Sequence, residues 1–315
     1  MLNKVVIGID TSNYTTSCAV CSLDGRILES YKQLLPVKEG ENGLRQSDAV
    51  FAHVKNFQII SSQIKEKHAE YEIVAVGYSA YPRDVVDSYM PCFLVGKAVA
   101  QMISALYNIP AYQFSHQAGH IRAAMYSSGF DTDGDFVAFH VSGGTTEILL
   151  ASKSDKTGYN VEIIGGSADL HAGQAIDRIG VKMGLKFPCG RELEQLSLAN
   201  QEKIPSPKIS VCGTYCNMSG LENLATRLYI ESGNKSLVSA FVLEFLSKTI
   251  EKLTVNVREQ YGDIPVIYAG GVMSNSVIKA HLKSKLANIY FSAPEFSSDN
   301  AAGVALLACE AHLKS

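Results

Sequence analysis

The sequence predicts an α/β chain built on a duplicated plan, and three observations carry that expectation. Short β-branched runs alternate with stretches of helical period along the whole chain. A unit of strand, hydroxyl- and glycine-rich turn, and return strand occurs at residues 4–23 and again at 135–151. At 315 residues the chain is also long enough for two domains, each with its own interior.

Taken in order, residues 4–10 (Lys4-Val5-Val6-Ile7-Gly8-Ile9-Asp10) form a short β-branched run that reads as a buried strand. The polar segment from Thr11 to Ser17 turns the chain into a second strand through Cys18 to Leu23, and Asp24-Gly25 is a hairpin signal. Helical periodicity covers residues 47–67, a strand covers 73–78, a loop or capped turn 81–87, and a second helix 95–107. Residues 109–114 form a short strand that feeds the helix carrying His116 and His120. The second hairpin then runs through Phe136 to Val141, turns at Ser142-Gly143-Gly144-Thr145-Thr146, and returns through Glu147 to Ala151. Beyond it lie a helix over 169–183 with Gly173 inside it, a loop at 187–191, and a long amphipathic helix over 236–261 with no interior breaker. The strand 266–269 enters Gly270-Gly271 and another helix, and the strand 289–291 precedes a last helix over about 300–312.

The composition is that of a globular protein, with 46% apolar and 19% charged residues. No run approaches the roughly 20 apolar residues of a membrane span, and Met1-Leu2-Asn3-Lys4 enters a strand without a signal-peptide pattern. The expectation is a cytoplasmic protein with no membrane contact. A formal net charge of −3 with no basic cluster along the sequence argues against coating nucleic acid by charge alone, although a local patch or a partner subunit can still supply basic groups. The seven cysteines show no framework spacing, which suits free thiols. Cys18 and Cys21, in an extended apolar run, read as small hydrophobes rather than a redox pair.

The turn Ser142 to Thr146 has what a phosphate requires, glycines that let the backbone approach and hydroxyls that donate, although a tight hairpin alone also explains the glycines. The matching turn at Thr11 to Ser17 and the Gly270-Gly271 pair favour the phosphate reading, with two phosphate-facing hairpins. Four-residue spacing stacks His116 and His120 on one helical face, able to hold a metal; the plainer reading is two hydrogen-bonded histidines. Asp299 is the candidate third ligand and also has the position of a helix N-cap. Asp169 and Asp177 share nearly one helical face, one to contact a ribose or a base and the other a neighbouring helix, although two solvated carboxylates are the plainer reading. Asn275 is suited either to cap its helix or to bond a nucleobase. His140 and His171 read as structural.

In order along the chain, Asp10-Thr11-Ser12, His116-x-x-x-His120, Val141-Ser142-Gly143-Gly144, Gly173-Gln174-Ala175-Ile176-Asp177, Gly270-Gly271-Val272-x-x-Asn275 and Ser298-Asp299-Asn300-Ala301 resemble the motifs of the TsaD family. This is the transferase subunit for tRNA threonylcarbamoyladenosine, and the likeness covers nearly the whole chain. The resemblance implies a duplicated actin-like ATPase (ASKHA) fold with a nucleotide between two lobes. One lobe would be residues 1–130, joined by the last helix at about 296–315, and the other residues 131–295. It further implies His116, His120 and Asp299 as ligands of one divalent metal, iron or zinc. Ser142, Gly143, Gly144 and Thr145 would lie along the phosphates of an adenine nucleotide or acyl-adenylate, with Asp169, Gly190, Gly271 and Asn275 around its sugar and base. Asp10 and Thr11 would be catalytic, and the partners would be tRNA and the proteins of a tRNA-modifying complex.

The implied reaction moves a threonylcarbamoyl group from its adenylate to N6 of an adenosine in tRNA. Several positions depart from the family: Asn13, Tyr14 and Thr15 replace an acidic cluster, Tyr81 to Asp87 replaces a Gly-Pro-Gly-Leu turn, and Ala118, Gln174 and Glu222 replace an acid, a Glu and a Lys. These changes keep open a divergent paralogue, either a carbamoyl-type transferase with another acceptor or a non-catalytic nucleotide-binding partner. A protease is disfavoured, because Gln117 stands where an H-E-x-x-H motif has its Glu and no Ser/His/Asp set is evident.

Overall fold

A computed structural model describes residues 2–12, 14–36, 44–65 and 70–315. The chain divides into two compact units. Unit 1 comprises Met1–Ser127, Lys153–Val161 and Ser298–Ser315; unit 2 comprises Ser128–Ser152 and Glu162–Ser297.

Unit 1 is built on a five-stranded sheet. Its strands are β1 (Asn3–Ser12), β2 (Thr15–Ser22), β3 (Ile27–Leu34), β4 (Tyr71–Tyr81) and β5 (Ala111–Ser115), in the order β3-β2-β1-β4-β5. β1 pairs antiparallel with β2 and parallel with β4, and β4 pairs parallel with β5. Its helices are α1 (Gln46–Lys65), α2 (Phe93–Tyr107), α3 (His116–Ser128) and α9 (Ala302–Lys314). The helix expected over 47–67 is α1, and Lys67 lies outside the described residues.

Unit 2 carries β6 (Phe136–Val141), β7 (Thr146–Ser154), β8 (Gly158–Ser167), β9 (Ser210–Cys212), β10 (Tyr215–Asn217), β11 (Val266–Ala269) and β12 (Ile289–Phe291). Its sheet order is β12-β11-β6-β7-β8-β10-β9. Five of these strands repeat the first sheet position for position, since β6 pairs antiparallel with β7 and parallel with β11, and β11 pairs parallel with β12. The duplication expected from the two hairpins therefore extends to strand order and direction. The helices of unit 2 are α4 (Ala172–Lys182), α5 (Gly190–Leu198), α6 (Ser219–Ser232), α7 (Lys235–Tyr261) and α8 (Ser276–Lys285).

Its core forms around α7, which buries Leu237, Val238, Phe241, Leu246 and Leu253 among others. At about 1.5–3 kcal/mol for each fully buried large apolar side chain, this one helix supplies much of the unit's stabilisation. Asn234 starts it by accepting the N–H groups of Ser236 and Leu237.

Cys18 and Cys21 are buried in β2, and no disulfide joins them. Burial pushes the Cys18 thiol up to about 12. That is the behaviour of a small core hydrophobe rather than a redox thiol.

The two hairpins differ at their tips. In the first, Ser12 pairs directly with Thr15, and Ser12, Thr15 and Thr16 are buried. Asn13 of that turn lies outside the described residues. In the second, Val141 pairs with Thr146, the Ser142 N–H bonds to the Thr145 carbonyl at 2.8 Å, and Gly143 and Gly144 are exposed. Of the two hairpins expected to face a phosphate, the second therefore presents open backbone and the first has its hydroxyls packed inside.

Candidate functional site

In unit 1, β5 ends at Ser115 and α3 begins at once with His116, which places His116 and His120 one turn apart at the start of that helix. Their Nε2 atoms are 2.8 Å apart. Asp299 lies just before α9, with Oδ1 3.3 Å from His120 Nε2 and 3.6 Å from His116 Nε2. Behind them, Asp10 at the end of β1 is fully buried, with Oδ1 2.9 Å from His116 Nδ1.

A backbone contact brings these distant segments together. A side chain at Gly303 would run into the carbonyl of Gly119, the residue before His120, so α9 and α3 meet backbone to backbone only because residue 303 is glycine. Asp299 does not cap α9. Asn300 Oδ1 accepts the Ala302 N–H at 3.1 Å, which leaves the Asp299 carboxylate turned toward the histidines.

Burial alone would discharge these groups, and their mutual attraction overrides it. Burial disfavours the His116 imidazolium, but Asp10 and then Asp299 raise it to about 10. Burial also works against charge on Asp299 and on Asp10, and the neighbouring histidines hold both carboxyls down, Asp299 well below the usual range.

The donor set fits a divalent metal. Bonds of about 2.0–2.2 Å around a tetrahedral ion separate its ligand atoms by roughly 3.3 Å. The three pairs here stand at 2.8, 3.3 and 3.6 Å. Asp10 accepting the His116 Nδ1–H would fix the tautomer that leaves the Nε2 lone pair for an ion, the usual outer partner of a ligating histidine. The ion would displace the proton that the histidines hold against Asp299.

Thr11 is not brought to this cluster. Its hydroxyl donates to the Cys92 carbonyl at 2.9 Å and accepts the Gly96 N–H at 3.1 Å, which commits it to the start of α2 on the other face of the sheet.

Unit 2 contains a pocket of about 380 Å³ whose lining includes Gly143, Gly190, Gly271 and Asn275, four of the expected nucleotide residues. The volume lies in the range of small-ligand sites. A side chain added at Gly143, Gly190 or Gly271 would meet nothing, so these glycines keep the wall open. Gly270 is different: with φ +99 it packs against the Val141 backbone, and a side chain there would overlap the Val141 carbonyl. In the turn, Ser142 N–H bonds to Thr145 O at 2.8 Å, and the Gly173 N–H of α4 bonds to Ser142 O at 3.2 Å. Ser142, Gly144 and Thr145 thus belong to the turn at the pocket's edge, not to its lining. Asn275 Oδ1 accepts the N–H groups of Val277 and Ile278 at 3.0 and 3.1 Å, so it caps α8 while also lining the pocket.

Asp169 is elsewhere. Its carboxylate accepts the N–H groups of Leu170 (2.5 Å), Met218 (2.7 Å) and Ser219 (3.1 Å), which ties it to the start of α6. Burial would raise this carboxyl, but the hydrogen bonds hold it at about 2. Asp177 does reach the pocket, where burial pushes its carboxyl up while its Oδ1 accepts the Cys189 N–H at 2.8 Å.

Arg191 and Glu194 also line the pocket and were not expected from the sequence. The available signal was their i, i+3 spacing directly after Gly190, on a helix hidden behind the loop reading of 187–191.

The model of the TsaD family, tRNA N6-adenosine threonylcarbamoyltransferase, matches residues 89–306. The chain belongs to the TsaD family. It is 27% identical over 318 residues to the tRNA N6-adenosine threonylcarbamoyltransferase of Buchnera aphidicola subsp. Schizaphis graminum, a match covering 96% of this chain and 91% of that protein.

Among solved structures it resembles full-length HypF in its phosphate- and nucleotide-bound form, with TM-score 0.61 and 14% identity over 98% of this chain. The match spans 46% of the HypF chain. It also resembles the activator of 2-hydroxyisocaproyl-CoA dehydratase from Clostridium difficile with bound ADPNP, with TM-score 0.53 and 12% identity, covering 98% and 96% of the two chains. The fold is the actin-like ATPase fold. No helix among the described residues is long and apolar enough to cross a membrane.

Proposed function

We propose that this TsaD-family protein transfers a threonylcarbamoyl group from its adenylate to N6 of an adenosine in tRNA. The observation that carries this reading is the convergence of His116, His120 and Asp299 in front of a buried Asp10. His116, His120 and Asp299 would hold one divalent ion, iron or zinc, whose chemistry is that of a Lewis acid on carbonyl or phosphoryl oxygen. Asp10 acts through His116, as the positioning carboxylate that orients the ring. The turn around Gly143 and Gly144 offers N–H groups to phosphate, and the pocket between Gly190, Gly271 and Asn275 takes the nucleoside. In the reaction the adenosine N6 bonds to the carbamoyl carbon, the bond from that carbon to the phosphate oxygen breaks, AMP leaves, and N6 gives up a proton.

Protein partners belong to the same reading. α2 turns Leu94, Met102 and Leu106 to solvent, 49%, 62% and 73% exposed, and Lys97 is its only charged residue. An apolar face of this kind marks a protein contact. A complex that still forms with Met102→Glu/Leu106→Glu, judged by size-exclusion chromatography, would overturn that assignment. With tRNA as acceptor, the reaction belongs to the cytoplasm.

The test incubates purified protein with threonylcarbamoyl-adenylate and tRNA, alone and with partner proteins. Modified adenosine that disappears in His116→Ala is the expected result, and no product in any combination overturns the reading. One observation favours a second reading, a paralogue with another acceptor. Glu222, where the family has a basic residue, is bonded to Lys182 at 2.7 Å and to Arg178 at 3.3 Å, so it neutralises two cations instead of offering one. Acyl transfer to a small amine with none to tRNA would decide for it.

A further inference from the structure

Beside the pocket of unit 2 lies a second, more open groove of about 390 Å³, lined by Lys186, Phe187, Pro188, Arg191, Glu192 and Gln195. It shares Pro188 and Arg191 with the pocket, so the two are separated by one wall. Phe187 is 69% exposed at its edge. Leaving a phenylalanine in water forfeits about 1.5–3 kcal/mol of burial, and this one is not on a loose segment. The Lys186 N–H is held by Glu192 Oε2 at 3.1 Å and the Cys189 N–H by Asp177 Oδ1 at 2.8 Å, so the ring is presented between two pinned backbone points.

The charges around it are also unusual for this chain. Arg178 and Lys182, further back on α4, share the carboxylate of Glu222. Lys186 and Arg191 have no carboxylate partner among the described residues. Glu192, the one acid of the groove, has one oxygen engaged on the Lys186 backbone. Lys235 adds its ammonium next to Gly184, two residues before Lys186. All of these cations but Lys235 come from one acid-free stretch, Arg178 to Arg191, which runs from α4 through the following loop into α5; the expectation of no basic cluster passed over it, and α7 adds Lys235.

An exposed, anchored aromatic ring flanked by unpaired cations is the pattern that holds single-stranded nucleic acid, with the ring stacking a base and the cations meeting phosphates. A base inside a duplex is already stacked and offers the ring no face. We infer that this groove binds one unpaired nucleotide of an RNA, its base on Phe187 and its phosphates against Lys186 and Arg191. The inference rests on the RNA acceptor of the proposed function, but concerns binding and not transfer.

The test is fluorescence anisotropy of the full-length protein with a labelled RNA stem-loop and with the same stem closed as a blunt duplex, across a salt series. Phe187→Ala lowers stem-loop affinity about 5- to 100-fold, the effect of losing one stacked base, and Phe187→Tyr restores it. Lys186→Gln lowers the slope of log affinity against log salt by about 0.7. Duplex binding and AMP binding, measured by calorimetry, do not change with Phe187→Ala, since Phe187 is not part of the pocket lining.

Unchanged stem-loop affinity in Phe187→Ala, equal losses for loop and duplex, no RNA binding by the wild type, or displacement of the RNA by an acidic peptide would each overturn the inference. Phe187-dependent RNA binding without any threonylcarbamoyl transfer would sink the transferase reading alone. Transfer that proceeds while stem-loop affinity ignores Phe187 would sink only this one.

Discussion

Asp10→Asn is the substitution that separates positioning from ligation at the histidine cluster. Asp10 touches His116 at Nδ1 and not at Nε2, the nitrogen that faces Asp299. As a carboxylate it can only accept at that nitrogen, and so it selects the ring tautomer whose Nε2 is free to bind an ion. Asparagine has the same shape but a neutral amide that presents either an acceptor or a donor, so this selection weakens while all three ligand atoms remain. Outer partners of ligating histidines contribute about 10- to 100-fold in metal affinity, or about 1.4–2.7 kcal/mol. Asp299→Ala, which deletes one of the three proposed ligands, should lose more. The assay is chelator competition for zinc or iron, run on variants whose thermal unfolding shows that they fold. That control is required because Asp10 Oδ2 has no partner among the described residues, and an amide nitrogen in its place would be a buried donor costing about 1–3 kcal/mol. Zinc and iron affinity within twofold of wild type in Asp10→Asn, alongside a clear loss in Asp299→Ala, would refute the positioning role.

Other expectations follow from where the structure spends its polar groups. Thr11→Val removes the bonds to Cys92 O and Gly96 N and should cost about 1–3 kcal/mol in urea unfolding with no change in metal affinity; a change in affinity at unchanged stability would return Thr11 to the site. Asp169 has a folded-state carboxyl held at about 2, below its usual value of 3.8, so its contribution is present above about pH 4 and is lost as pH falls toward 2. Discounted for its exposure, that contribution is about 1 kcal/mol, so Asp169→Asn should be less stable than wild type by about that much at pH 6, and the gap should narrow at pH 3. A gap that widens on acidification contradicts this. Gly190→Val points its side chain into open space and should leave thermal unfolding unchanged while lowering adenine nucleotide affinity in calorimetry; intact affinity would remove this pocket as the nucleotide site.

The strands and long helices were legible because each carries its own periodicity. β1, β6, α7 and the strand entering Gly270-Gly271 lie where alternation and apolar faces put them. The elements missing from the sequence reading, β3, β8 to β10, α5 and α6, are short, half-exposed or mixed in pattern, and they fold because a neighbour supplies a partner. β9 and β10 hold three residues each, and Asp169 fastens the start of α6 from outside the helix.

The histidine pair was visible from spacing alone. Its link to Asp10 was not, since nothing local in Ile9-Asp10-Thr11 shows which of two adjacent polar side chains faces α3. Strand alternation means only one of them can, and the packing chose Asp10, leaving Thr11 to α2. For the same reason Asp169 and Asp177 looked alike. Helix α4 starts at Ala172, so Asp169 lies before it and is free to bond α6, whereas Asp177 lies within it and reaches the pocket.

The duplication explains why the two units present different chemistry on the same scaffold. Position for position, Asp10 and Thr11 of β1 correspond to His140 and Val141 of β6, since Asp10 faces Ser17 across one hairpin and His140 faces Glu147 across the other. In both units a threonine hydroxyl accepts an N–H from a following helix, though from different strands: Thr11 of β1 from Gly96, and Thr146 of β7 from Ala172. That shared bond ties strand to helix. What differs is the burial of the turn and the charge at its base. The first hairpin buries Ser12, Thr15 and Thr16 and leaves the Asp10 carboxylate against the His116 imidazole. The second hairpin sets His140 at the corresponding position instead and exposes Gly143 and Gly144, suited to an anion. Exchanging the turns tests this division. Gly143→Asn/Gly144→Tyr, which puts the residues of positions 13 and 14 into the second turn, should abolish adenine nucleotide binding while leaving metal affinity as it was, and loss of both together would show that the two functions are not divided between the hairpins.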